Sequence, residues 1–154
     1  MIKLIETATE LKNMDFDKDE RREIIEQLGQ SDPTLIDRNE LDFTALGDSW
    51  RFIRTDVIDQ IQQEELSSDP YILGCFNASF LSSIINLDTE SIELLQKSEG
   101  YEGIGKAVIN GGHIEELQQD YVSADGYGHH FAHYDHEEHE LTLNGETWHA
   151  FKVN

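Results

Sequence analysis

Between Asp69 and Asp88 lies the longest charge-free run in the chain, Pro70 to Leu87, in a sequence otherwise dense with carboxylates. Asp69 is a good helix N-cap, and Pro70 occupies a first helical position, where no amide hydrogen bond is lost. Ile72, Phe76, Phe80 and Ile84 then follow one row of a helix, with Leu73 and Leu81 beside it and Ile85 further round. A helix that is apolar on most sides is a buried one. The run therefore predicts a central core helix over about 70–87, with Cys75 as a small buried hydrophobe. Gly74, Ala78 and Ser82, at i, i+4 and i+8, let a second helix approach closely, within the fold or across a homodimer. A membrane span needs nearly this length. Asn77, Asn86, the serines and the lack of flanking Lys or Arg argue against one.

Around that run, local signals predict further helices. Leu4, Ala8 and Leu11 share one side of a short helix over 2–13. After a polar break at 15–19, Asp17 or Asp19 caps a helix through Leu28 that carries Ile24, Ile25 and Leu28 inward, with Gly29 as its C′ residue. A short piece covers 39–46. A stronger helix runs from Asp48 or Ser49 to about Leu66, striped by Phe52, Ile53, Val57, Ile58 and Ile61 and stapled by Trp50. Asp88-Thr-Glu-Ser is another N-cap signal. Helices over 101–110, ended by Gly111-Gly112, and over 114–121 follow.

At Asp125-Gly-Tyr-Gly128 the pattern changes. His130, Phe131, Ala132 and Tyr134 suggest a strand. Leu141-Thr-Leu-Asn-Gly-Glu-Thr-Trp148 is a hairpin, because Asn-Gly supplies both positive-φ residues of a type I′ turn. That turn sets Leu143 opposite Glu146 and Leu141 opposite Trp148. The expectation is an α+β protein, a helical body around the central helix with a C-terminal three-stranded antiparallel β-meander. No linker or repeat divides it, so 1–154 reads as one domain, helical over about 1–122 and β over about 128–153. The first residues hold no apolar leader segment, and a cytoplasmic location is expected.

The formal charge is −21, from 32 Asp and Glu against 11 Lys and Arg. Its distribution says more. From Thr55 to Gln96 there are eight acidic residues and no basic one; from Ala107 to Phe151 there are nine, again with none. A broad negative field follows, and it disfavours direct nucleic-acid binding. Solubility alone is one explanation. Salt adaptation is another, although Glu exceeds Asp. The third is imitation of a phosphate backbone, which in B-DNA carries about one charge per 1.7 Å. The carboxylates expected to meet a basic partner are Glu64, Glu65, Glu115, Glu116, Asp120, Glu137 and Glu138.

Chemistry-bearing motifs are few. Gly100 to Ala107 fits the G-x-x-x-x-G-K of a phosphate loop, but Ala107 replaces the Mg²⁺-holding hydroxyl and a helix precedes the segment where a strand is needed. The glycines read better as a close helix–helix contact. No nucleophile elbow occurs, and no catalytic residue or cofactor is singled out. His129, His130, His133, His136, His139 and His149 stand among acidic residues, a mixture competent for first-row metals. His133, Asp135, His139 and His149 are the candidate ligands for a metal-binding protein or metal-dependent enzyme. Protonation of these histidines near pH 6 would reduce the negative charge.

With the acidic blocks and the segment Ser123-Ala-Asp-Gly-Tyr-Gly-His-His-Phe-Ala-His-Tyr-Asp135 in view, the chain resembles small bacteriophage and mobile-element proteins. Short length, strong acidity and a lone cysteine are similar to the anti-restriction and anti-CRISPR inhibitors that imitate DNA. This is a resemblance of type, and it transfers no functional residue. It implies a non-enzymatic inhibitor that binds a host nuclease or a CRISPR or restriction complex through its carboxylates. An assembly protein of a mobile element, kept soluble by its charge, is the third expectation.

Overall fold

The computed structural model describes residues 10–11, 16–31 and 50–153. These form two compact units, one made of the described residues up to Ile58 together with those from Asp125 onward, the other of residues 59–124. The α+β class holds: helices dominate, and the C-terminal hairpin builds an antiparallel sheet.

In the first unit, Asn144 and Gly145 take φ of 52° and 81°, the two positive values that the hairpin turn needs. The turn joins β3 (His139–Leu143) to β4 (Glu146–Lys152), with Leu141 opposite Trp148 and Leu143 opposite Glu146 as expected. The third strand corrects the sequence reading. It is β2 (Trp50–Arg54), antiparallel to β4 with Phe52 opposite Ala150, where a helix was expected. Phe52 and Ile53 are both fully buried, so the strand is apolar on both faces and loses the period-two signature. Glu10–Leu11 forms β1, which pairs with β2 and gives the order β1-β2-β4-β3. That replaces the expected helix at these two positions. The rest of the helix over 2–13, the piece over 39–46 and the start at Asp48 or Ser49 lie outside the described residues.

Helix α1 (Lys18–Ser31) covers one face of the sheet. Asp17 and Glu20 form a reciprocal capping box: the Glu20 amide donates to Asp17 Oδ1 at 2.8 Å, and the Asp17 amide donates to Glu20 Oε1 at 3.1 Å. The helix runs through Gly29, which is not its end. Its core partners are Ile24, Ile25 and Leu28, packed with Phe16, Trp50, Phe52, Leu141, Leu143 and Trp148. Phe16, inside the expected polar break, is a core residue. Gln27 also meets the free edge of β3. Its amide donates to the Thr142 carbonyl and its oxygen accepts from the Thr142 amide, each at 2.9 Å. A side-chain amide thus stands in for a neighbouring strand and blunts the edge.

The other face of the sheet is covered by the second surprise. His130, Phe131, Ala132 and Tyr134, expected as a strand, fall instead in the short helix α8 (Gly128–Phe131) and the turn after it. Phe131 and Ala132 are fully buried, and the Phe131 ring lies 5.0 Å from that of Phe151 and 5.1 Å from the Arg51 guanidinium. The face of the sheet that carries Phe151 is therefore buried by a helix.

The second unit is all helical: α2 (Ile58–Ser67, whose first residue belongs to the first unit), α3 (Pro70–Gly74), α4 (Ala78–Ile85), α5 (Thr89–Lys97), α6 (Tyr101–Asn110) and α7 (Ile114–Asp125, whose last residue belongs to the first unit). The charge-free run is two helices where one was expected. Asp69 caps the first, accepting from the Ile72 amide, and Asn77 caps the second, accepting from the Ser79 amide at 2.9 Å. The break frees two carbonyls, and one side chain takes both: Gln96 Nε2 donates to Gly74 O at 3.0 Å and to Phe76 O at 2.9 Å. Because the second helix restarts in a new direction, Leu73, Ala78, Leu81 and Ile84 face the core while Tyr71 and Ile72 stay half exposed and Cys75 is exposed.

The expected row of small residues is divided, because Ala78 and Ser82 lie on α4; Gly74 alone makes the close approach, to α6, and Gly105 returns it. A Cβ on Gly74 would lie 1.9 Å from the Tyr101 carbonyl oxygen; a Cβ on Gly105 would lie 1.8 Å from that of Pro70. The helices touch backbone to backbone. Gly74→Ala or Gly105→Ala should therefore destabilise by at least about 2–3 kcal/mol, seen as a lower urea midpoint. Gly103, on the same helix with nothing within 4 Å of its would-be Cβ, is the control. Gly103→Ala should stabilise by about 0.5–1 kcal/mol.

A second expectation concerns acid. The Ser91 hydroxyl and amide both donate to Asp88, the cap of α5, and hold its carboxyl below the usual range. A depressed pKa contributes stability that is present above the ordinary carboxylate range and lost as pH falls through the lower folded value. Relief of the overall negative repulsion acts in the opposite direction, so a difference is needed. The gap in urea midpoint between the native chain and Asp88→Asn should be larger at pH 7 than at pH 2.5.

Candidate functional site

On α2 the inward residues are Ile58, Gln62 and Leu66; on α7 they are Leu117, Gln118 and Tyr121. This spacing leaves Asp59, Gln60 and Glu64 on the outer side of α2, and Glu115, Glu116, Gln119 and Asp120 on that of α7. A partly buried hydrogen-bond network centred on Gln118 ties the two helices together and reaches out to Asp59. Gln118 Nε2 donates to Asp59 Oδ1 and to Gln62 Oε1, each at 2.9 Å, and Gln63 Nε2 donates to Gln118 Oε1 at 3.1 Å. An open groove between them is lined by Gln60, Gln63, Glu64, Ser67, Ser68 and Ile114.

Five of the seven carboxylates expected at a partner surface therefore share one helix pair: Glu64, Glu65, Glu115, Glu116 and Asp120. Four are exposed and Glu65 is half-buried. Glu116 and Asp120, one turn apart, are like charges on one face, an unfavourable spacing that the helix tolerates. His113 Nδ1 lies 3.8 Å from a Glu116 oxygen and offers a partner only when protonated. Across residues 59–124 there are twelve carboxylates and two lysines, a formal charge of −10. Eleven of the twelve are exposed. One of the lysines, Lys106, pairs with Glu102 at 3.3 Å, so little positive charge remains.

Glu137 and Glu138 belong to the first unit, and there they have different employment. Glu138 Oε2 accepts from the amides of Tyr127 and Gly128, at 2.8 and 3.2 Å, and satisfies the start of α8. Glu137 joins Asp135 and His139: one ligand atom from each of the three lies within 4.8 Å of the others. Asp135 Oδ1 accepts from the Glu137 amide at 3.1 Å, while its Oδ2 is buried and accepts no hydrogen bond. His139 is 6% exposed, at the start of β3, with its ring 5.8 Å from that of Trp50.

The structure thus keeps half of the expected metal set. His133 is exposed and outside the group. His149 is excluded by parity. His139 pairs across the sheet with Ala150, so the two share a face, and His149 points to the other. There His149 lies between the Tyr127 ring, at 5.3 Å, and the Phe151 ring, at 6.0 Å, with its Nδ1 buried and lacking a hydrogen bond. The hairpin register already contained this result, because Leu141 opposite Trp148 fixes the parity of both histidines. Glu137 was missed as a ligand because its neighbour Glu138 drew it into the acidic set. The i, i+2, i+4 spacing alone does not bring them together: Asp135 lies in a turn and His136 has φ 58°, and that bend sets Asp135 and Glu137 beside His139.

The phosphate-loop pattern is spent on packing. Gly100 is the N-cap of α6, and Gly105 is the residue that meets Pro70. Comparison with protein-family models, with curated proteins and with solved structures finds no match.

Proposed function

We propose that this chain is a non-enzymatic binding protein that presents the carboxylates of residues 59–124 to a basic nucleic-acid-binding surface. The supporting observation is the −10 charge of that unit, with eleven of its twelve carboxylates exposed. A compact unit of 66 residues has a radius of gyration of about 11 Å. Over the corresponding span of about 22 Å, B-DNA carries roughly 13 charges. The two are of one order, so a groove built for phosphates meets a similar field. The helices also hold the charges on a packed frame, so few conformations are lost on docking.

The partner class that suits such a surface is a host nuclease or a CRISPR or restriction complex working in the cytoplasm. The protein would inhibit it by occupying the DNA path. No helix among the described residues is long and apolar enough to cross a membrane.

The test is DNA cleavage by a panel of restriction and CRISPR nucleases with the full chain added. Inhibition should compete with duplex DNA and weaken at least tenfold between 50 and 200 mM salt, as about two phosphate-like contacts already require. Replacing Glu64, Glu115, Glu116 and Asp120 together with lysine should abolish it. Inhibition insensitive to salt, to DNA and to these four changes would sink the reading, as would no inhibition of any member.

A further inference from the structure

We infer that Asp135, Glu137 and His139 form a binding site for a borderline first-row divalent cation of the zinc class. The inference stands apart from the acidic-surface reading, because it concerns the first unit and a different set of side chains.

Three observations support it. The first is the donor set, one imidazole and two carboxylates converging to within 4.8 Å. Without a cation, two carboxylates at that range repel one another; Lys152, whose Nζ lies 4.6 Å from the centroid of the Tyr134 ring, makes no ion pair with either. The second is the Asp135 Oδ2 atom, buried with no hydrogen bond. A carboxylate oxygen withdrawn from water and left without a donor is costly, and a cation removes that cost. The third is support. His139 begins β3 and is packed against Trp50. The loop before it is pinned on Gly128, where a Cβ would come within 2.3 Å of the His136 carbonyl oxygen. Glu138, bound to the amides of Tyr127 and Gly128, ties the same loop to the start of α8. The ligands therefore sit on a loop with little freedom, apart from the exposed Glu137.

The chemistry selects the ion. Imidazole favours zinc and its neighbours over Ca²⁺ or Mg²⁺, and the group has no sulfur for Cu(I). At metal–ligand distances of about 2.1 Å the edge of a tetrahedral site is roughly 3.4 Å. Three donors already within 4.8 Å of one another close to that spacing on binding, and the exposed Glu137 is the one freest to move. Three protein ligands leave a fourth position for water or for a group from a partner.

The experiment is calorimetric titration of untagged, chelator-treated full chain with ZnCl₂, repeated with CaCl₂, and visible spectroscopy with Co²⁺. The expected result is one saturable zinc site, a tetrahedral Co²⁺ spectrum and calcium binding at least 100-fold weaker. Asp135→Asn and Glu137→Gln should each weaken zinc at least tenfold; His133→Ala and His129→Ala should leave it unchanged. Glu137 is exposed, so Glu137→Gln keeps the fold, checked by circular dichroism, even if a change at buried His139 does not. Absence of a saturable site overturns the inference. So does zinc affinity that is unchanged in Asp135→Asn and Glu137→Gln, which is adventitious binding by surface histidines, or calcium binding as tight as zinc.

Discussion

Thirty-two carboxylates with eleven basic partners have to stay wet and apart, and the packing works within that constraint. Among the described residues no Asp or Glu is fully withdrawn from solvent, and Glu20, Glu65, Asp135 and Glu146 come nearest to it. The cores must therefore be built without ion pairs. In residues 59–124 the solution is close approach: Gly74 and Gly105 let α3 and α6 meet at backbone distance, where many weak dispersion contacts add up. In the first unit it is a sheet whose middle strands are buried on both faces, by α1 on one side and by Phe131 and Ala132 on the other.

With carboxylates kept outside, glutamine does much of the polar work inside. Gln96 satisfies both carbonyls at the break between α3 and α4. Gln118, fully buried, joins α2 to α7, and Gln27 closes the edge of β3. A neutral amide donates and accepts without the desolvation cost of an ion. These residues hold the elements that carry the charges, so the acidic surface rests on an uncharged polar frame.

Much of this was legible in the sequence where the signal is local. The caps at Asp69 and Asp88, the bounds of α6, and the Asn144-Gly145 turn with its register each depend on a few adjacent residues, and all are found in the structure. The failures are where partners distant in sequence decide. Trp50–Arg54 is a strand because β4, about a hundred residues later, pairs with it; Phe52, Ile53, Val57 and Ile58 mimic a helical stripe in isolation. His130, Phe131, Ala132 and Tyr134 had strand-like composition, but Phe131 packs against Phe151 and a helical turn delivers it. The charge-free run looked continuous because a break costs little to see when its freed carbonyls are satisfied by Gln96, twenty residues away. In the Asp135, Glu137 and His139 group, Asp135 and His139 were visible from composition, while Glu137 depends on the bend at His136 and the separation of His149 on strand parity.

The first unit is assembled from segments on both sides of residues 59–124. This has a consequence for biosynthesis. The helical unit is contiguous, and its contacts are local enough to form quickly. β2 leaves the ribosome earlier but waits for β4, its partner across the whole insertion, before the sheet can close. During that interval the edge of β2 that β4 will occupy is open, although β1 and α1 are already made, and an open apolar edge is the kind of surface on which nascent chains associate. The high like charge of the segment made in between keeps neighbouring nascent chains apart for that time. On this view the acidity serves the chain twice, first as a repellent during synthesis and afterwards as the surface of the finished protein.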